Sequence, residues 1–226
     1  MKNNIEDLLL QLKQSPPIRN IFNPWRDVDV ENDISPDAPE IRTNHLRRYL
    51  EARVKRARYL LIGEALGYQG GHFSGIAMTS ERILLGYKKG EGINPEHVLP
   101  NFEPKRTSKP EIKPKGFSEP TASIVWGTLL RHGLNPNDFV LWNVFPWHPF
   151  DQNKGVLSNR RPSEKELKYG YPILTNFLEL FPEGRIIALG KISANTLKSI
   201  RIHCYEVRHP ANGGAREFKN TVKFFL

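Results

Sequence analysis

Four short apolar runs, each stopping at a glycine or a polar residue, constrain this chain more than any other feature. They are "YLLIG" at 59–63, "FVLWN" at 139–143, "RIIALG" at 185–190 and "CYEVRH" at 204–209. Runs of this length, rich in Val, Ile and Leu, suit strands buried on both faces. Helical patterns alternate with them. Ile5, Leu8, Leu9 and Leu12 share one helical face, and Thr43 is placed to cap a helix over "NHLRRYLEARVK". Thr121 or Ser123 opens "IVWGTLLRHG", which Gly133 closes. Pro162-Ser163 opens "EKELKYGYPILTNFLELF", in which Gly170 and Pro172 are expected to force a break or kink. Ser193 starts "SANTLKSI".

Strand–helix alternation predicts an α/β fold, a three-layer α/β/α arrangement with a central, mainly parallel four-stranded sheet. We expect a single domain over residues 1–226, with residues 1–57 as an N-terminal helical and extended segment whose proline-rich part runs over the surface. Residues 88–120 form a Pro/Lys-rich insertion with little apolar period, read as a solvated loop in preference to a mobile arm.

Composition narrows the class. Apolar residues make up 38% of 226, enough for a core, and 33 Lys and Arg against 24 Asp and Glu leave a net charge of +9. A basic surface argues mildly for a polyanionic partner such as nucleic acid. Cys204, the sole cysteine, excludes an internal disulfide and any site needing several thiolates. No apolar run reaches the roughly 20 residues of a membrane span, and the acids and amides of "MKNNIEDLLLQLKQ" do not read as a signal peptide. The expectation is a cytoplasmic protein with no membrane partner.

Sites in parallel sheets lie outside the carboxyl ends of the strands, so the strand ends carry the functional question. Gly63, Gly67, Gly70 and Gly71 miss the Gly-x-Gly-x-x-Gly spacing of a dinucleotide site, yet still allow a ligand close to the backbone. Phe73, flanked by small residues in "GGHFSG", suits a stacking platform for a planar ligand or a plug in an apolar gap. Asn143 offers an amide able to read a base edge, or a turn-forming side chain bonded to its own backbone. "GRIIALGKISANTL" fails as a P-loop, because five residues separate Gly184 from Gly190 and Ile192 stands where Ser or Thr would hold magnesium. Lys191 and a helix start near Ser193 can still take a backbone phosphate. His209, fixed before Pro210, can donate to a developing oxyanion or be structural. With His203 and Cys204 it makes too few ligands for zinc.

In this order the strand ends resemble the uracil-DNA glycosylase superfamily over roughly residues 58–216. "GEALGYQGGHFSG" is similar to the GEAPG turn of the iron–sulfur-containing family 4 branch, and "RHPANGG" to a strand ending in His-Pro-Ser. The resemblance implies a monofunctional DNA glycosylase of base excision repair, which hydrolyses the N-glycosidic bond of a flipped uracil or related deaminated base. It implies that Phe73 stacks on the base, that Asn143 pairs with its edge, and that Gly63, Ala65 and Gly67 line it. His209 would stabilise the departing base, with Glu64 as the catalytic acid group. Lys191, Ser193, Asn212 and Arg216 are the expected DNA contacts, DNA is the expected partner of a monomer, and the chemistry needs no cofactor and no metal. Departures accompany the likeness. Leu66 stands where the turn has Pro, Ala65 where the best-known branch has its Asp, Gly67 where that branch has a Tyr excluding thymine, and Ala211 where Ser is usual. Cys204 alone cannot hold a cluster, which makes this a cluster-less relative. A nucleic-acid-binding relative without catalysis, suggested by Ala65, Leu66 and Ala211, and a nucleotide-processing enzyme, suggested by Lys191, stay open.

Overall fold

The computed structural model describes residues 4–226. In chain order its elements are α1 (Ile5–Gln14), β1 (Ile21–Phe22), α2 (Ala38–Glu51), β2 (Tyr59–Ala65), α3 (Gly71–Ser74), α4 (Glu81–Leu84), α5 (Pro95–Val98), α6 (Pro120–Arg131), β3 (Phe139–Phe145), β4 (His148–Pro149), α7 (Glu164–Glu179), β5 (Arg185–Leu189), α8 (Lys191–Ser199), β6 (Tyr205–Val207) and α9 (Ala215–Thr221). Four strands form one parallel sheet in the order β3-β2-β5-β6, and helices flank it. Leu60 of β2 sits level with Val140 on one side and Ile186 on the other, so β2 is paired along both edges. Its residues 60–63 are all buried, which is why it reads as an unbroken apolar run. The antiparallel pair β1–β4 is an addition that the sequence pattern did not announce.

Helix packing explains the differences from the sequence expectation. α7 runs unbroken through Gly170 and Pro172. An interior proline costs about 3 kcal/mol, but the helix buries Ile173, Leu174 and Phe177, each contributing about 1.5–3 kcal/mol. Burial therefore wins. α2 starts at Ala38, well before Thr43, whose hydroxyl donates to the carbonyl of Pro39 at 2.8 Å. The hydroxyl of Tyr49 on α2 accepts the Leu141 N–H at 2.8 Å, capping the outer edge of β3. α7 itself opens on a capping box: Ser163 accepts from the Glu166 N–H while Glu166 reaches back to the Ser163 N–H. Replacing Ser163 with Ala removes half of that box and lowers stability by about 1 kcal/mol, to be measured by urea denaturation.

The insertion at 88–120 is in part solvated, with residues 110–115 exposed, but it is anchored to the core at several points. Ile93, Val98, Leu99 and Phe117 are buried. The buried Glu81 carboxylate accepts the Thr107 and Ser108 N–H groups at 2.7 and 2.9 Å. The guanidinium of Arg53, fully buried, donates to the carbonyls of Tyr49, His97, Val98, Pro136 and Phe139. Backbone acceptors thus satisfy a cation that burial alone would penalise heavily. The proline-rich stretch before α2 is also anchored inward: Trp25 is buried with its indole N–H on Gly75 O, and Arg42 pairs with Asp33 at 2.7 Å in complete burial. No helix among the described residues is long and apolar enough to cross a membrane.

Candidate active site

The carboxyl end of β2, the segment after β6 and the start of α6 enclose an open cleft of about 790 Å³. Of the residues singled out from the sequence, Glu64, Ala65, Gly67, His209 and Asn212 line it. Glu119, Asn159, Arg160 and Arg161 join them from distant parts of the chain. Glu64 is half-buried, and burial pushes its carboxyl above the usual range, an effect partly offset by Arg161 at 3.7 Å. Among the described residues no group of three or more His, Cys, Asp or Glu is placed to hold a metal ion.

His209 is oriented by its own turn. Its Nδ1 accepts the Ala211 N–H at 3.1 Å, so the neutral ring carries its proton on Nε2. Burial lowers the imidazole's pKa, and the neighbouring Arg208 lowers it further. The group lining the cleft is therefore a neutral hydrogen-bond donor at neutral pH.

Asn143 sits deeper. It lies within β3, which is buried through Phe145, level with Gly63, and a side chain on Gly63 would meet Asn143 Oδ1 at 2.5 Å. The absence of a side chain at Gly63 lets the Asn143 amide lie close against β2. The Asn143 Nδ2 is buried without a hydrogen-bond partner, beside a tight void lined by Trp25, Leu66, Ala77, Trp142 and Pro146. Leu66 lines both this void and the cleft, so it forms the wall between them.

Phe73 takes the second of its two readings, a plug in an apolar gap, and not that of a stacking platform open to a ligand. It is fully buried, with one neighbour ring, Phe117, stacked at 4.1 Å and another, His72, at 4.4 Å. Phe117 comes from the insertion, which is why the sequence around Phe73 concealed its burial. His72 carries a further buried chain. His148, which burial and His72 hold neutral at about 3, donates from Nε2 to Ser158 O at 2.7 Å. Its Nδ1 must then accept from His72 Nδ1 at 3.0 Å, leaving His72 Nε2 and Asp29 Oδ2, 3.1 Å apart, to share one more proton. This relay ties the glycine loop after β2 to the N-terminal connection.

The expected DNA contacts divide. Ser193 is not at the helix start: α8 begins at Lys191 behind Gly190, and the buried Ser193 hydroxyl bonds the carbonyls of Leu189 and Gly190. It has no free face for a phosphate. Lys191 is exposed and shares with Asn212 a second hollow that also contains Glu206 and Glu217. Arg216 is exposed on α9.

Glu119 is the residue that sequence reading missed. It closes the insertion at the N-cap position of α6, where an acid before Pro120 looks like an ordinary cap, yet it makes no capping bond. Its Oε2 is sealed from solvent without a partner, and burial raises its carboxyl to about 7. Any side chain on Gly70 would run into that carboxylate.

The family model described as "Uracil DNA glycosylase superfamily" matches residues 51–226. Among solved structures, the fold is similar to that of wild-type Pedobacter heparinus SMUG2, with a TM-score of 0.61 and 15% sequence identity, over 96% of this chain and 94% of that one. No curated protein matches the chain.

Proposed function

Because this chain belongs to the uracil DNA glycosylase superfamily, we propose that it hydrolyses the N-glycosidic bond of uracil, or of a related deaminated base, in DNA. The observation that supports this most is that Glu64 and His209, far apart in sequence, line one cleft at the carboxyl side of the sheet. A target nucleotide flipped from DNA enters that cleft. As the C1′–N bond breaks, its electron pair moves onto the base. The Nε2–H of His209 donates to the base oxygen on which charge collects. In this reading Glu64 faces the sugar, where a carboxylate favours the cationic, oxocarbenium-like ring. For the base edge to meet the Asn143 amide, the Leu66 side chain has to swing aside. The unpartnered Nδ2 then finds an acceptor on uracil, and Oδ1 finds the N3–H. The basic surface, +9 overall, supplies a salt-dependent contribution to DNA affinity.

The test is an excision panel. Purified protein is incubated with single- and double-stranded oligonucleotides carrying uracil, hypoxanthine or xanthine, and alkali-labile abasic sites are counted. Release of uracil, or of one of the other two, is the expected result. Tight, salt-sensitive binding with no abasic site at high protein concentration would instead favour a binding protein without catalysis.

A further inference from the structure

Resting on that reading of the cleft, we propose that Glu119 is the general base that takes the proton of the attacking water. The argument starts from what a structural acid would do in the same place. An acid at a helix N-cap normally accepts the N–H of the second or third helical residue and contributes about 1 kcal/mol. Glu119 makes no such bond. A buried carboxylate kept for stability is normally paired or hydrogen-bonded. Glu119 Oε2 is sealed and unpartnered.

The surroundings are shaped around this side chain. The carboxylate occupies the space a side chain on Gly70 would fill, so the glycine loop after β2 leaves room for an acid delivered from α6. Four other charged or titratable groups line the cleft with it: Glu64, Arg160, Arg161 and His209. Arg160 is held by Glu166 through contacts of 2.7 and 2.8 Å, and Arg161 lies 3.7 Å from Glu64. His209 is neutral, and its Nδ1 is occupied by Ala211. Among the described residues no cation of the cleft is therefore committed to Glu119, and burial leaves it poised near neutrality, where a proton acceptor is most effective.

The step balances as follows. A water oxygen forms a bond to C1′ while the C1′–N bond breaks and its electron pair leaves with the base. One water proton passes to the Glu119 carboxylate, and the other stays on the new 1′-hydroxyl of the abasic sugar. The protonated Glu119 then returns its proton to solvent or to the departed base anion, which restores the site.

Single-turnover excision between pH 5 and 9 tests this. A base must be ionised to act, so the wild-type rate rises with pH through about 7. Glu119→Gln, which keeps the shape and removes the titration, is expected to lower the rate by about 10²–10⁴-fold and to abolish that rising limb. Wild-type Glu119 also gives a readout that needs neither turnover nor a folded variant: the carbon-13 shift of its carboxyl should titrate with a midpoint near neutral pH. Three results overturn the proposal while leaving the glycosylase reading intact: a Gln variant that keeps the wild-type rate, one that is slower with the rising limb unchanged, or a carboxyl titrating near the ordinary value of about 4.3. A wild-type protein that releases no base from any substrate overturns both.

Discussion

His209→Ala is expected to lower single-turnover base release by about 10²–10³-fold, the usual cost of removing one preorganised donor from a developing oxyanion, while oligonucleotide affinity stays within a few-fold. The size follows from geometry. The ring lines the cleft, its Nδ1 is occupied by the Ala211 N–H, and only Nε2–H is left to donate. Burial depresses its pKa, so the ring is already neutral at pH 7. A neutral donor needs no proton from solvent, and the His209 contribution is therefore flat above the ordinary histidine pKa of about 6.5. As pH falls below the depressed folded value the ring becomes cationic; any pH dependence attributable to His209 lies on that acidic side. The rising limb assigned to Glu119 is separate from it. A His209→Ala protein that excises within two-fold of wild type would remove this residue from the chemistry.

Asp33→Ala is expected to be the most destabilising of the substitutions considered, by about 3–5 kcal/mol, or roughly 6–20 °C in Tm for a chain of this size. Asp33 and Arg42 are both completely buried and meet through two contacts of 2.7 and 3.1 Å. Arg42 also donates to the carbonyls of Pro24 and Asp27 at 2.6 and 2.8 Å. Truncating Asp33 leaves a guanidinium without its counter-charge where water cannot replace it, and that uncompensated charge dominates the loss. The pair Lys88–Glu91, whose carboxylate is exposed, is the contrast: removing Glu91 should cost under about 1 kcal/mol. Differential scanning calorimetry of the two variants decides the point, and equal losses would show that burial is not what sets the cost. Because the same connection carries Asp29 to His72, excision by Asp33→Ala should fall as well as Tm.

Much of the sheet was legible from local pattern. A strand covered on both faces has no polar side, so β2, β3 and β5 announced themselves as apolar runs even though β3 is an edge strand. Glu64 directly follows the buried run of β2, but His209 stands beyond β6, where the expected buried strand is short and exposes Tyr205 and Glu206. Helix boundaries were less so. Thr43 and Ser193 look like caps, but each turned its hydroxyl to a carbonyl one turn back once packing had set where α2 and α8 begin.

The chain order of the four sheet strands and the main helices, the strand ends proposed to carry chemistry and the family likeness were determined by the sequence alone, because each is written in neighbouring residues. Only the tertiary structure decided which side chains share a cavity. Phe73 lost its stacking role to Phe117, contributed by an insertion whose composition looked solvated. Asn143 came to rest behind Leu66, and Glu119 came to occupy the space left open at Gly70. Burial and pairing between distant segments are sums over the whole packed chain. A short motif contains the group that performs a reaction, but its solvation and the company it keeps are set by residues elsewhere in the sequence.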